Sequence, residues 1–413
     1  MQRVLAPERS SVLSLRFFAS APAFALLAGA ALLWRGAAAF DSRWSPALLA
    51  ATHLMTLGVL TMVMIGALMQ LLPVVAGVDV AWRRLSATTM HALLCCGTLL
   101  LAAAFWWSQP LLFALALTPL VLALVWLLAT CGAGMWRARA NTGSIMLTGI
   151  RMALCALLPT LGLGVALACA FSWPLGLPLE LLTELHMLWG LLGWVGLLLI
   201  AVAYQVIPMF QVTPLYPPRL MQALGWTLLS LMLAGSAARL AGHWSLGLLH
   251  TMLLAGFALF AAVTLMLLAR RKRPAPDATT RFWRMAMASL LGCTALWFSP
   301  FDPITRSLLL GVLFLLGFAY SAVLGMLYKI VPFLLWHHWQ EQGLARPVPS
   351  IRLLIPEGRA TAQFWSHAGA VVLLALAVLW PQELARPAAL ALLASSALLA
   401  ANLARAFRLH AAY

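Results

Sequence analysis

Residues 53–73 read HLMTLGVLTMVMIGALMQLLP, and two more stretches fall into register with them: residues 188–208, LWGLLGWVGLLLIAVAYQVIP, and residues 312–332, VLFLLGFAYSAVLGMLYKIVP. In each, a glycine precedes the proline by fifteen residues (Gly58, Gly193, Gly317). A small residue precedes it by seven (Gly66, Ala201, Gly325), and a long polar side chain by three (Gln70, Gln205, Lys329). Each stretch is a nearly unbroken apolar run of about 20 residues, the length a helix needs to cross a bilayer. None shows the alternation of a barrel strand. The prolines stand 135 and then 124 residues apart, room for four such helices each time.

The pattern has a physical reading. Small residues eight apart lie about two turns apart on one helix face, where a neighbouring helix can approach closely. The proline frees a backbone carbonyl and bends or ends the helix. The polar side chain one turn earlier is placed to bond that carbonyl or to snorkel to the interface.

The whole chain agrees with these stretches. Of 413 residues, 64% are hydrophobic and 9% charged, and the mean hydropathy is +0.97. Soluble domains carry about 25% charged residues, so a soluble enzyme, a disordered chain and a coiled coil are excluded. Twelve spans are expected, near residues 13–34, 46–72, 87–107, 110–134, 147–171, 181–210, 220–240, 245–269, 283–299, 307–336, 364–380 and 387–404. The expected fold is all-α: a single polytopic membrane domain over 1–413, a threefold pseudo-repeat of four-helix arcs with units near 13–134, 147–269 and 283–404. The first span lacks a convincing small-residue cleavage pattern and reads as retained. The linkers near 270–283 and 340–362 are basic and proline-bearing, the second expected along the membrane surface.

The formal net charge of +16 follows the helix map. With the N-terminus inside, 20 of the 26 Lys and Arg residues fall in inside segments and 5 in outside ones, and Lys329 lies within a span. That asymmetry is the positive-inside signal of a bacterial inner-membrane protein with both termini cytoplasmic. The basic excess serves topology and anionic lipid, not nucleic acid. The six cysteines fall in or beside apolar spans with no C-x-x-C among them, and read as small buried hydrophobes. There is no Walker motif, H-E-x-x-H or G-x-S-x-G.

Nine histidines accompany these few charges. Imidazole near hydrocarbon is costly unless it is bonded or ligates something. His53 and His186 stand one or two turns into the second and sixth spans from the outer side, the depth at which a flat macrocycle can sit between helices. Met187, Trp189, Gly190, Gly193 and Trp194 offer it an apolar slot. His53, His186 and, behind them, His250 are the candidate cofactor-binding residues, with His53 and His186 the candidate metal ligands. The two-residue difference in register turns one imidazole about 200° relative to the other, so the pair is expected to face different compartments. The plain alternative for each is a bond to a backbone carbonyl. His337 and His338, beside Trp336 and Trp339, read as an interface belt. Glu184, two residues before His186, points away from it.

The span number, the three arcs and histidines high on spans 2 and 6 resemble the catalytic subunit I of haem–copper oxidases. The chain looks closer still to the short NnrS-type membrane proteins tied to nitric-oxide metabolism. The motifs behind this are Arg16-Phe17-Phe18, the helix from His53 to Pro73 and Gly77, and Val206-Ile207-Pro208-Met209-Phe210. The resemblance implies an axial haem ligand at His53 and, loosely, a copper-site position at His186. Span 7 has no His-His pair and span 10 reads Gly317-Phe318-Ala319-Tyr320 with no H-x-H, so the usual bimetallic oxygen-reducing centre cannot be assembled. The expectation is a divergent redox or nitric-oxide-related protein, an oxidoreductase only in a reduced sense. Haem b is the leading cofactor and copper the lesser one; a diatomic gas or an electron-donor protein is the partner. Two other classes stay open: a permease for a small molecule, metal or haem, and a cofactor-free structural or assembly subunit. No carboxylate at mid-membrane depth supplies the usual coupling group of a transporter.

Overall fold

The computed structural model describes residues 10–78, 83–137, 144–243, 245–273, 275–342 and 348–412. They form twelve long helices, with no strand among the described residues. These are α1 (Ser10–Arg35), α2 (46–76), α3 (Arg83–Trp107), α4 (Pro110–Arg137), α5 (Ile145–Ser172), α6 (Leu179–Gln211), α7 (Pro218–Leu240), α8 (Leu246–Ala269), α9 (Ala278–Trp297), α10 (Pro303–Glu341), α11 (Glu357–Leu379) and α12 (Pro381–Ala411). Eleven are long and apolar enough to cross a membrane; α9, with Arg281 and Arg284, is the exception. The protein is an all-α polytopic membrane protein.

Helix ends follow local chemistry. Proline opens α2, α7, α10 and α12, where its missing N–H costs nothing. Asp277 caps α9 through the Thr280 N–H at 2.8 Å, and Asp302 caps α10 through the N–H groups of Ile304 and Thr305. The surface linker is shorter than expected: α10 runs to Glu341 and α11 already starts at Glu357, behind Pro356. Part of this linker, residues 343–347, and the arginines at 3, 9, 139 and 346 lie outside the described residues.

Helices α2, α6 and α10 each contain a π-helical stretch, at Leu54–Thr61, Leu188–Leu197 and Val312–Tyr320. All three lie at the same distance before the aligned prolines to within one residue and enclose Gly58, Gly193 and Gly317. The small-residue faces also share one relation, each meeting the helix just before it in the chain. A β-carbon at Gly58 or Gly66 would strike Phe24, or Phe17 and Phe18, of α1. Gly193 and Ala201 meet Ala156 and Gly149 of α5, and Gly317 and Gly325 meet Ser289 and Phe282 of α9. Two of the polar residues reach across as well. Gln70 donates to Ser14 Oγ at 2.7 Å on α1. Lys329 pairs with Asp277 at the start of α9, also at 2.7 Å.

The prolines do not all end their helices. α2 and α6 stop three residues later, with left-handed residues at Gly77 and Val212, whereas α10 continues nine residues past Pro332. α12 packs along α1, with Leu393 against Gly29, and joins the two ends of the chain. Both described ends lie on one side of the bundle, here the terminal side; the opposite side is the far side.

Candidate functional site

α2 begins at the far side with Pro46, and His53 is the last residue before its π-helical stretch. α6 begins at the same side, and His186 stands two residues before its own π stretch. Both imidazoles enter one cavity of about 350 Å³, within the ordinary range of small-molecule sites. Their ring centroids are 6.4 Å apart and their planes 19° from parallel. The expectation that they face different compartments is therefore corrected. The register offset describes rotation of each ring about its own helix axis. It leaves out the change of direction between two helices standing on different sides of one cavity.

Each ring is held by its Nδ1. His53 Nδ1 donates to the Leu49 carbonyl one turn back at 2.8 Å, and His186 Nδ1 donates to the Thr160 carbonyl of α5 at 3.0 Å. In the neutral ring this leaves the Nε2 lone pair uncommitted on both residues, the arrangement that orients metal-ligating imidazoles. The plain alternative, a bond to a backbone carbonyl, is thus present on one nitrogen and leaves the other available.

The walls are apolar and aromatic. Phe105 stacks on His53 at 5.0 Å, Phe113 stands edge-on to Phe105 at 5.0 Å, and Phe171 stacks on Phe113 at 5.0 Å. Gly164 leaves room for the His186 ring, since a β-carbon there would come within 3.1 Å of it. Of the slot read from the sequence, Met187, Gly190 and Trp194 line the cavity. Trp189 instead donates to Ser236 at 3.0 Å and Gly193 packs on Ala156. Trp194 Nε1 donates to Thr61 Oγ1 at 3.0 Å and ties α6 to α2. Val312, Leu315 and Leu316 of α10 also line it, with Leu374 and Val378 of α11 and Leu392 of α12.

At the far side the cavity meets Arg43, Trp44, Thr183 and Ser307. Arg43 lies over the Trp44 ring at 5.2 Å and 3.8 Å from Glu184. Glu184 also accepts from Arg239 Nε, so it turns to the rim and away from His186, as the spacing implies.

The remaining histidines stand elsewhere. His250 meets Trp297 edge-on at 5.9 Å and is not among the cavity-lining residues. His91 contacts Ser20 at 3.1 Å, and His338 pairs with His410 at 2.9 Å. His367 is fully buried, beside Phe282 of α9 and Tyr320 and Ser321 of α10. The three phenylalanines and the Thr160 carbonyl were not singled out in the sequence. Phenylalanine in an apolar span carries no local mark of facing a cavity, and a backbone acceptor has no side-chain signature at all.

Among the described residues, no group of three or more His, Cys, Asp and Glu side chains is arranged to hold a metal ion. No protein-family model matches the chain, and a search of curated proteins finds none significantly similar to it.

Proposed function

We propose that this chain is a haem-binding protein of the bacterial inner membrane, related in architecture to a degenerate haem–copper oxidase subunit I and to NnrS-type proteins. The observation that carries the reading is the pair of imidazoles in one apolar cavity, each anchored by Nδ1 with Nε2 left over. A bare copper or zinc ion asks for three or four protein ligands. A haem brings four equatorial nitrogens of its own and asks for one or two. Two histidines without a third ligand therefore favour haem over a copper ion.

His53 and His186 would hold the iron, Phe105, Phe113 and Phe171 would exclude water around it, and Arg43 supplies a positive charge at the rim of the cavity. A haem bound there would supply one-electron chemistry or a site for a diatomic ligand such as nitric oxide. Ligation by both histidines suits electron transfer, and ligation by one suits gas binding or reduction.

The test is an absorption spectrum of the purified protein, air-oxidised and dithionite-reduced, after expression with a haem precursor. A Soret band that is lost or shifted in both His53→Ala and His186→Ala supports the pair. Loss in only one variant leaves a single ligand and an open coordination position. A colourless protein would refute the proposal and favour a permease or a cofactor-free subunit.

A further inference from the structure

A second cavity, of about 230 Å³, lies between α5, α6 and α7. It belongs to the terminal side of the bundle, where α5 and α7 begin and α6 ends. Thr148 and Met152 of α5, Ile200 and Tyr204 of α6, and Gln222 and Trp226 of α7 line it. None of these six lines the histidine cavity, whose rim is at the far side. Beside it the helices close on one another through small residues. A β-carbon at Gly149 would come within 2.6 Å of that of Ala201, and one at Gly225 within 3.0 Å of the Met152 sulfur. Gln222 is exposed, and Trp226 is 58% exposed, so the cavity borders the outer surface of the bundle, which in a bilayer meets lipid.

The polar groups of this lining call for an acceptor. Thr148 Oγ1 spends its hydrogen on the Ser144 carbonyl at 3.3 Å. The Tyr204 hydroxyl has no partner among the described residues, and Gln222 adds an amide. Two arginines flank the lining. Arg219 stands three residues before Gln222 and seven before Trp226, on one face of α7. Arg151 stands three residues after Thr148 on α5. Both helices start at the terminal side, so both side chains lean towards it. Neither guanidinium makes a hydrogen bond or ion pair among the described residues, and no carboxylate lines the cavity.

We propose that this cavity binds one anionic phospholipid of the leaflet on the terminal side, with Arg151 and Arg219 taking its phosphate. Basic pockets between transmembrane helices at a membrane face suit anionic headgroups. A cavity of this size takes only part of a lipid, the glycerol-ester region and the first carbons of a chain, and leaves the rest in the bilayer. Ester and phosphate oxygens are acceptors, which is what the Tyr204 hydroxyl, the Gln222 amide and the two guanidiniums want. Met152 and Ile200 give the chain an apolar wall, and Trp226 is an aromatic ring of the kind that sits at headgroup level. With no carboxylate in the lining, the ammonium of a zwitterionic headgroup has no counter-charge, so the anionic lipid is preferred. The site is independent of the haem reading: it shares no residue with the histidine cavity.

The test is native mass spectrometry of the full chain in detergent, titrated with phosphatidylglycerol or with phosphatidylethanolamine carrying the same chains. The expected result is one phosphatidylglycerol held about tenfold more tightly than phosphatidylethanolamine, a preference lost when Arg151→Gln and Arg219→Gln are combined. Combining Arg270→Gln and Arg273→Gln, which removes the same charge from the linker after α8, should keep it. Equal loss in the two double variants, or no preference in the wild type, overturns the site in favour of general surface charge. Inorganic phosphate that displaces the lipid at millimolar concentration would make a soluble anion the occupant and overturns it as well. Should the Arg151 and Arg219 variant not fold, labelling of the wild type with a diazirine-bearing phosphatidylglycerol decides. Cross-links within 145–152 and 221–226 support the proposal, and cross-links only elsewhere overturn it.

Discussion

Asp277 joins two helices with one carboxylate. It caps α9 and takes the Lys329 ammonium of α10, with side-chain exposures of 20% and 24%. Burial pushes its carboxyl pKa up, but the Lys329 bond and charge, with the Thr280 N–H and hydroxyl, outweigh burial and hold it below the ordinary aspartate value. A group with a depressed native pKa contributes stability above its unfolded pKa of about 3.9 and loses it as pH falls through the native value. Asp277→Asn should therefore destabilise the protein by about 1–3 kcal/mol between pH 5 and 8. The gap from wild type should narrow below about pH 4, measured by thermal unfolding in detergent across pH. A gap that widened in acid would contradict this assignment. Little of the pair is legible in the sequence. Lys329 reads there as a lone cation reaching for the interface, because its partner lies 52 residues earlier in a linker. His53 and His186 could be picked out because imidazole in hydrocarbon is conspicuous. Their meeting could not, since it depends on where two helices stand.

At the scale of the element, the proline-anchored pattern in the sequence has a backbone counterpart that side-chain periodicity does not reveal: π-helical turns in α2, α6 and α10. Such turns rotate the part of a helix before them relative to the part after them, and they occur often at functional sites. In α6 the stretch begins two residues after His186, so the turns set the direction of that ring against the lower half of the helix. Deleting Leu192 would shift His186 by about 100° relative to Tyr204 and Pro208 as the stretch relaxes towards α-helix. The expected outcome is loss of the Soret contribution of His186 with the circular dichroism of a helical protein retained. An unchanged spectrum would mean that the π turns do not aim the histidine. Helix ends were uneven in legibility. Gly77 announces a left-handed stop after α2. Val212 adopts the same conformation after α6, with φ 54°, although a β-branched side chain resists it.

For the whole molecule, composition and run length sufficed to give the class, because a bilayer leaves helices few alternatives. They could not give the cavity, which depends on how helices from successive units stand around it. Orientation is the remaining property of the whole, and the charge distribution is what bears on it. With the N-terminus taken as inside, 20 of the 26 Lys and Arg residues belong to segments expected inside and 5 to segments expected outside. This bias should set the terminal side in the cytoplasm. A fluorescent protein fused after Ala411 should therefore fold and fluoresce in a bacterial host, while alkaline phosphatase fused there stays inactive. Phosphatase inserted between Ser172 and Leu179, in the segment joining α5 to α6, should be active. That result would turn the Arg43 rim and the histidine cavity outward. The reverse pattern would put the cavity mouth on the cytoplasmic side. A soluble electron donor would then have to meet the protein at Arg43 and Trp44 from within the cell.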